Sequence, residues 1–221
     1  MNWAQAIDHY CERTAPGFGV EPLNMATGLV FAALGLLLAF RASGPDVRAT
    51  ALMLILVGVS SFLWHGFGQI WASMLNLVTN MALMAALGWV ALHRLAGARQ
   101  GSALIGGMML AVLFYRGGPI LGQALPGISA AGGYVLLVFL TLLTALALRR
   151  FERPAGLLTG GAVLLAVGLP FRLNDAAWCG IWSTGTHFAW HLLNAAYMAL
   201  LLTASLAAAE IRTSPGGAKD I

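Results

Sequence analysis

The chain has 221 residues, of which 59% are hydrophobic and only 9% carry a formal charge, and its mean hydropathy is +0.81. A soluble domain has about 25% charged residues, so this composition excludes an ordinary soluble fold and predicts an integral membrane protein. The net charge of +4 comes from basic residues scattered among loops. Basic residues in loops are typical of the charges that orient the helices of a membrane protein, and no nucleic acid partner is expected.

Seven apolar segments, separated by short polar breaks, predict seven transmembrane helices. They run approximately over 22–42, 48–67, 71–95, 101–116, 129–150, 155–172 and 182–208. Each approaches the roughly 20 apolar residues that cross a bilayer, and the apolar runs are continuous rather than alternating, which disfavours a barrel. We therefore expect an all-α, polytopic membrane protein with a single seven-helix domain, 1–212, and a disordered tail, 213–221.

The basic residues predict the orientation of these helices. In a seven-span arrangement, nine of them fall on one side and three on the other. The nine are Arg41, Arg48, Arg94, Arg99, Arg149, Arg150, Arg153, Arg212 and Lys219, and the three are Arg13, Arg116 and Arg172. The positive-inside rule then places the N-terminus outside and the C-terminus in the cytoplasm. The Arg-, Ala- and Gly-rich composition is compatible with a bacterial source, so we expect the inner (plasma) membrane.

Three of the five histidines share one depth at the predicted outer edge of the membrane. His187 and His191 are spaced i, i+4, so both imidazoles project from one helix face, and His65 ends the second helix at the same side. Three histidines with an open position for water describe a catalytic zinc site. On spacing alone, interfacial residues or satisfied core histidines are the alternative.

Ser61 lies one helical turn before His65 on the same face of the second helix. Its hydroxyl can there hydrogen-bond a metal-bound water or an oxyanion. A serine that hydrogen-bonds its own helix backbone is the alternative interpretation.

Four short motifs occur in order over nearly the whole chain. They are Cys11-Glu12 ahead of Glu21-Pro-Leu-Asn24, Ser61-x-x-x-His65, Asn174-Asp175-x-x-x-Cys179 and His187-Phe-Ala-Trp-His191-Leu-Leu. Together they resemble the alkaline ceramidase family, part of a larger group of seven-helix membrane hydrolases that includes adiponectin receptors. The resemblance implies zinc held by His65, His187 and His191. It also implies that the enzyme splits ceramide into a sphingoid base and a fatty acid, with Ser61 steadying the developing oxyanion.

One position departs from that family. The family has an Asp eleven residues after the histidine of Ser-x-x-x-His, where it acts as general base, and this chain has Asn76 there. An amide cannot accept the proton of the water, although it can still orient the water. Either activity is much reduced, or another group such as Asp175 serves as the base, or the chain is non-catalytic.

The N-terminal segment carries Asp8, Glu12 and Glu21 on the predicted outer side. Related ceramidases bind calcium with such a segment, and oxygen-rich loops suit Ca²⁺. The family pattern Asp-Trp-Cys-Glu-x-Asn reads HYCERT over 9–14 in this chain, so two ligand positions differ. The resemblance thus implies a calcium site at these three acids, with ordinary solvated acids as the alternative.

Cys11 and Cys179 are the only cysteines in the sequence. The seven-helix topology puts both on the outer, oxidising side, just before the first and seventh helices, so we expect a disulfide. Such a bridge would hold the N-terminal segment close to the zinc. Two unpaired thiols are the alternative.

The sequence therefore predicts a zinc-dependent membrane hydrolase of lipid amides, with a membrane lipid as substrate. A zinc-bearing receptor or lipid-binding protein without turnover is the first alternative, and Asn76 favours it. A structural or assembly subunit of a larger membrane complex is the second. The sequence indicates no particular protein partner.

Overall fold

A computed structural model describes residues 2–124 and 131–213 of the chain. Over these residues the secondary structure is helical, apart from turns and one isolated bridge between Ala6 and Gln69. The helices are α1 (Pro22–Ala39), α2 (Pro45–Phe67), α3 (Ile70–Arg94), α4 (Gln100–Ala124), α5 (Gly132–Ala147), α6 (Glu152–Leu173), α7 (Asp175–Trp178) and α8 (His187–Thr213). Except for Thr213, which ends α8, the predicted disordered tail lies outside the described residues.

Six helices within the described residues are long and apolar enough to cross a membrane, namely α1, α2, α3, α4, α6 and α8. Helix α5 is also apolar but has only 16 residues. In hydrocarbon no water satisfies a backbone N–H or C=O group, so an apolar segment closes its own hydrogen bonds as a helix. The prediction of a helical integral membrane protein is confirmed.

The helix limits differ most from the predicted segments at α4 and α8. Helix α4 continues past the predicted end at 116, through Pro119, to Ala124. A proline inside an apolar helix removes one hydrogen bond, yet the flanking backbone has no better partner in a membrane than the helix itself. Helix α8 begins at His187 rather than 182, because a long-range side-chain cap, described below, sets its start. The predicted start of the fifth helix, 129, falls outside the described residues.

The chain divides into two compact units by its contacts. Unit 1 comprises Met1–Leu83 and Val167–Ala195, and unit 2 comprises Met84–Ala166 and Ala196–Ile221. Each unit takes part of α3, α6 and α8, so this division does not test the predicted single domain over 1–212.

Unit 1 has a core of two kinds. Apolar side chains of α1 and α2, such as Phe31, Leu54 and Val57, are buried, and a group of polar side chains is buried near the starts of α1 and α8. Unit 2 has an apolar core that includes Val90, Leu158, Leu165 and Tyr197. The polar group in unit 1 is the unusual feature, because buried polar atoms need partners.

The N-terminal segment of unit 1 is tied to the turn between α2 and α3. The Ile7 N–H donates to the Gly68 carbonyl at 2.7 Å, and the Ile70 N–H donates to the Gln5 carbonyl at 3.1 Å. Gly68 ends α2 with φ +58°, and a Cβ there would collide with the guanidinium of Arg13. Only glycine combines this left-handed conformation with such a close approach.

Candidate metal centre

His65, His187 and His191 come together in unit 1. One ring nitrogen from each lies within 4.8 Å of the other two. His65 lies in the last turn of α2, and the other two lie in the first turns of α8. All three are buried, with exposures of 1%, 2% and 5%. The three-histidine group expected from the sequence is therefore present.

The separation of the three rings fits a metal ion. A tetrahedral site with bonds of about 2.0–2.1 Å places its nitrogens roughly 3.3 Å apart. The rings already stand close, with centroid separations of 4.6 Å to 5.3 Å, so modest side-chain rotation closes the site. Imidazole suits zinc, and also copper, iron and nickel. The group can hold a metal ion, and the histidines alone do not select the metal.

Glu21 orients the ring of His65. The Nδ1 atom of His65 lies 2.6 Å from Glu21 Oε2, and both side chains are almost fully buried. A carboxylate only accepts, so Nδ1 carries the proton and Nε2 is left as the metal ligand. Histidine ligands of metals almost always donate their other ring N–H to a carboxylate, a backbone carbonyl or a water, and Glu21 is that acceptor for His65.

Thr27 plays a similar part for His191. The Thr27 hydroxyl donates to the Leu23 carbonyl at 2.7 Å and lies 3.0 Å from His191 Nδ1. With its proton directed to Leu23, the hydroxyl accepts from Nδ1–H, which again leaves Nε2 as the ligand. Helix α1 thus orients one histidine through Thr27 and another through Glu21 at its N-cap.

His187 is held differently. Its ring stacks on Tyr10 with a centroid separation of 4.1 Å, and its Nδ1 is buried without a hydrogen-bond partner within the described residues. An unsatisfied buried nitrogen costs about 1–3 kcal/mol. A metal ion bound through Nδ1 of His187 would account for this uncompensated polar group, which supports the fit of the site.

Asp175 sets the start of α8 and the place of His187. Its Oδ1 accepts from the backbone N–H groups of Thr186 at 2.6 Å and His187 at 2.9 Å. Its Oδ2 accepts from the Cys11 N–H at 2.9 Å. Gly185 has φ +63°, and a Cβ there would collide with Asp175 Oδ1. The structure therefore places the candidate alternative base in a capping role.

Cys11 and Cys179 form a disulfide that closes a sequence separation of 168 residues. The expected pairing is present, so neither cysteine is a free thiol. Because Cys11 N–H also bonds to Asp175, the bridge fixes the N-terminal segment beside the start of α8. Tyr10 then lies against His187.

Arg13 supplies the positive charge of the buried polar group. Its Nε donates to Glu21 Oε1 at 2.6 Å, and its Nη2 donates to the His65 carbonyl at 2.8 Å. Burial raises the pKa of the Glu21 carboxyl, and the Arg13 guanidinium opposes that shift. The pair links the N-terminal segment to the last turn of α2.

The three acids expected to bind calcium do not form one cluster within the described residues. Asp8 is exposed. Glu12 accepts from the backbone N–H groups of Leu23 at 2.7 Å and Asn24 at 2.9 Å, so it caps α1. Burial raises the pKa of Glu12, and these two N–H groups lower it. Glu21 is engaged by Arg13 and His65, so calcium binding stays a prediction.

The two remaining predicted site residues have different surroundings. Ser61 is buried on α2, and a Cβ added to Gly28 of α1 would lie 2.6 Å from its Oγ. Asn76 lies on α3, where its Oδ1 accepts from Ser60 Oγ at 3.2 Å and from Asn80 Nδ2 at 2.9 Å. The side chain of Asn76 is therefore fixed by other polar groups of α2 and α3.

Sequence reasoning missed Tyr10, Arg13 and Thr27 as parts of this site. Tyr10 and Arg13 flank the Cys11-Glu12 motif, and the predicted disulfide was the one signal that placed them near the histidines. Thr27 lies six residues after Glu21, with no signal beyond its place on α1. These contacts join residues far apart in sequence, so spacing cannot reveal them.

Unit 2 contains an apolar cavity of about 460 Å³. Its lining includes Leu92, Phe114, Leu140, Leu158 and Leu201. The hydroxyls of Thr141 and Tyr197, also in the lining, lie 3.2 Å apart. Thr141 donates its proton to the Leu137 carbonyl at 2.7 Å, so it accepts from the Tyr197 hydroxyl. A volume of this size and lining suits an apolar ligand.

The fold and the site define a helical membrane protein with a buried three-histidine group fit for a metal ion. Comparison with known proteins adds no family: the chain matches no protein-family model and no curated protein.

Proposed function

We propose that this chain is a zinc-dependent hydrolase of lipid amides, similar to the alkaline ceramidases. The observation that carries the proposal is the buried group of His65, His187 and His191, in which two rings are held by Glu21 and Thr27. Zinc is the metal of this proposal, because three histidines with an open position are typical of catalytic zinc. The substrate class follows from the motif resemblance and from the membrane setting of the site.

The protein's own residues have distinct roles in this proposal. When bound, zinc would lower the pKa of a water molecule and polarise the amide carbonyl. Ser61, one turn before His65 on α2, would donate its hydroxyl proton to the developing oxyanion. Glu21 and Thr27 keep the ligand nitrogens of His65 and His191 directed at the site, and Asp175 holds the first turn of α8.

The proton acceptor is the open part of the proposal. The amide of Asn76 can orient the attacking water but cannot accept its proton. Both oxygens of Asp175 already accept backbone hydrogen bonds. We therefore expect slow turnover in the natural chain. Aspartate at position 76 is expected to be tolerated, since both side-chain partners of Asn76 Oδ1 are donors.

The proposal includes the topology predicted from charge. It takes α5 as a seventh span, although α5 is shorter than the other six, and places the N-terminus and the metal site outside. The nine-to-three distribution of basic residues supports this orientation. The proposed location is a bacterial plasma membrane.

A zinc- and lipid-binding protein without turnover is the second candidate function. Asn76 in place of an acid and the engaged carboxylate of Asp175 favour it. The apolar cavity in unit 2 favours it as well, because such a cavity suits a lipid chain.

Metal analysis combined with lipid-amide turnover tests both candidates. We compare the purified natural chain with three variants. They are Asn76→Asp, His187→Ala and, as a matched control, His93→Ala. Zinc in the natural chain with measurable turnover, raised by Asn76→Asp, supports the hydrolase. Zinc with turnover only after the substitution favours the second candidate. A folded natural chain without zinc, unaffected by His187→Ala, overturns both.

A further inference from the structure

Asn194 is a buried polar side chain that nothing described above uses. It lies on α8, is 6% exposed, and its Oδ1 has no hydrogen-bond partner among the described residues. Asn24, the other asparagine with an unpartnered buried oxygen, differs because its Nδ2 donates to Glu21 at 3.2 Å. Asn194 has no such bond to explain its presence in an apolar helix.

An unsatisfied amide is costly inside a membrane protein. Leaving a buried acceptor without a donor costs the full desolvation penalty of that acceptor, and an apolar residue of the same shape avoids that cost. Leucine would fill the position at similar volume. Polar side chains within membrane-spanning segments usually face the protein interior and serve function. Asn194 is therefore a candidate for contact with a ligand.

The position of Asn194 on α8 places it beside the proposed metal ligands. At 100° per residue, positions 187, 191 and 194 fall within an arc of about 60°, so all three lie on one face of the helix. Trp190 and Leu193 lie beyond this arc and pack against Gly168 of α6. Asn194 is about 4.5 Å further along the helix axis than His191, away from the start of α8.

We propose that Asn194 is a specificity-determining residue, which accepts a hydrogen bond from a hydroxyl or N–H group of the lipid substrate. The inference rests on the proposed hydrolase function. The donor group of the substrate would lie about one helical turn from the amide carbonyl at the metal site, on the side away from the start of α8. The preferred substrate is then a lipid amide with a donor group close to the amide, rather than a plain N-alkyl amide.

A bound water is the competing explanation. A buried water makes two to four hydrogen bonds and needs that many polar partners. A water bound to Asn194 Oδ1 would therefore need at least one further polar partner, and removing the acceptor would then cost stability rather than substrate preference. A site built to hydrogen-bond a substrate donor also has a measurable signature, because it rejects the analogue without that donor.

The test uses the full-length, zinc-loaded protein in lipid nanodiscs and two matched lipids. One is a long-chain N-acyl amine with a hydroxyl on the carbon next to the amide-bearing carbon, and the other is its deoxy analogue. The natural chain is compared with Asn194→Leu, which removes the acceptor, and Asn194→Asp, which keeps an acceptor oxygen. The measurements are kcat/KM for both lipids, Kd for non-hydrolysable versions of both, and thermal stability.

We expect the natural chain to prefer the hydroxylated lipid at least about tenfold in kcat/KM and Kd. In Asn194→Leu that ratio should fall toward one, with unfolding temperature unchanged or raised. Asn194→Asp should keep most of the preference. If Asn194→Leu keeps the preference for the hydroxylated lipid, the inference is overturned. If that variant also has a lowered unfolding temperature, the role of Asn194 is to bind a structural water.

The two proposals fail in different ways. If the natural chain hydrolyses neither lipid but binds the hydroxylated one more tightly through Asn194, the hydrolase proposal fails and the role of Asn194 stands. If both lipids are hydrolysed with equal efficiency and bound with equal affinity, the inference about Asn194 fails and the hydrolase proposal stands. Absence of both binding and turnover overturns both.

Discussion

The carboxylate of Asp175 accepts a hydrogen bond from the backbone N–H of His187 at 2.9 Å. One acid in the short helix α7 thereby caps α8 at the residue that also contributes a ring to the metal site. The same carboxylate accepts from Cys11, whose disulfide partner Cys179 lies four residues after Asp175. His187 is thus both the residue at which Asp175 caps α8 and a member of the three-histidine group.

Replacing Asp175 tests whether it positions α8 or acts as a base. Asp175→Ala removes three hydrogen bonds from buried or part-buried N–H groups, and we expect a loss of about 2–3 kcal/mol in unfolding free energy. Asp175→Asn keeps an acceptor for α8, so it should lose less stability and retain zinc. Denaturant or thermal unfolding and metal content measure both effects. A fully stable, zinc-loaded Asp175→Asn protein that has lost all turnover would instead identify Asp175 as the base.

The contact between Glu21 and His65 should control metal affinity. Glu21→Gln weakens the hold on Nδ1 of His65, and we expect zinc affinity to fall about 10- to 100-fold. Thr27→Val removes the weaker contact to His191 and should have a smaller effect. Competition with a chromogenic chelator gives both affinities. Equal zinc affinity in Glu21→Gln and the natural chain would contradict the orienting role.

Replacing Arg13 should show how much the buried Glu21 destabilises the fold when it has no cationic partner. In Arg13→Met, Glu21 loses its salt bridge at 2.6 Å and the His65 carbonyl loses a donor, so we expect a loss of about 3–5 kcal/mol. The double variant Arg13→Met with Glu21→Gln should recover part of this loss. Unfolding measurements on the two variants and on Glu21→Gln alone give the coupling between the residues. Additive effects would mean that the ion pair contributes no coupling.

The disulfide should stabilise both the fold and the site. It closes a large loop, with a sequence separation of 168 residues, and its loss typically costs about 2–5 kcal/mol. We expect reductant to lower the unfolding temperature and to speed release of zinc, since the N-terminal segment that carries Tyr10 and Arg13 is then less restrained. The double variant Cys11→Ser with Cys179→Ser is the control, because reductant should not change it. A reductant effect of equal size in that variant would contradict this account.

Much of the helical architecture followed from the sequence. The predicted segments agree with α1, α2, α3 and α6 to within three residues at each end, because long apolar runs have few alternatives to a helix in a membrane. The start of α8 was wrong, since it depends on Asp175 accepting from Thr186 and His187 across the α7–α8 turn. Such a cap leaves no periodic signal.

The amino-acid sequence by itself determined a helical membrane protein, one pair of cysteines and the three histidines that can share a metal. The helices and the pairing of His187 with His191 follow from local rules, namely the length of apolar runs and the i, i+4 spacing. His65 and the cysteine pair follow from the side of the membrane on which the helix order places them. Only the tertiary structure decided what each acid does: Glu12 caps α1, Glu21 orients His65 and Asp175 caps α8. The physical reason is that a carboxylate's role depends on which donors the fold brings within about 3 Å of its oxygens, and those donors lie in distant parts of the chain.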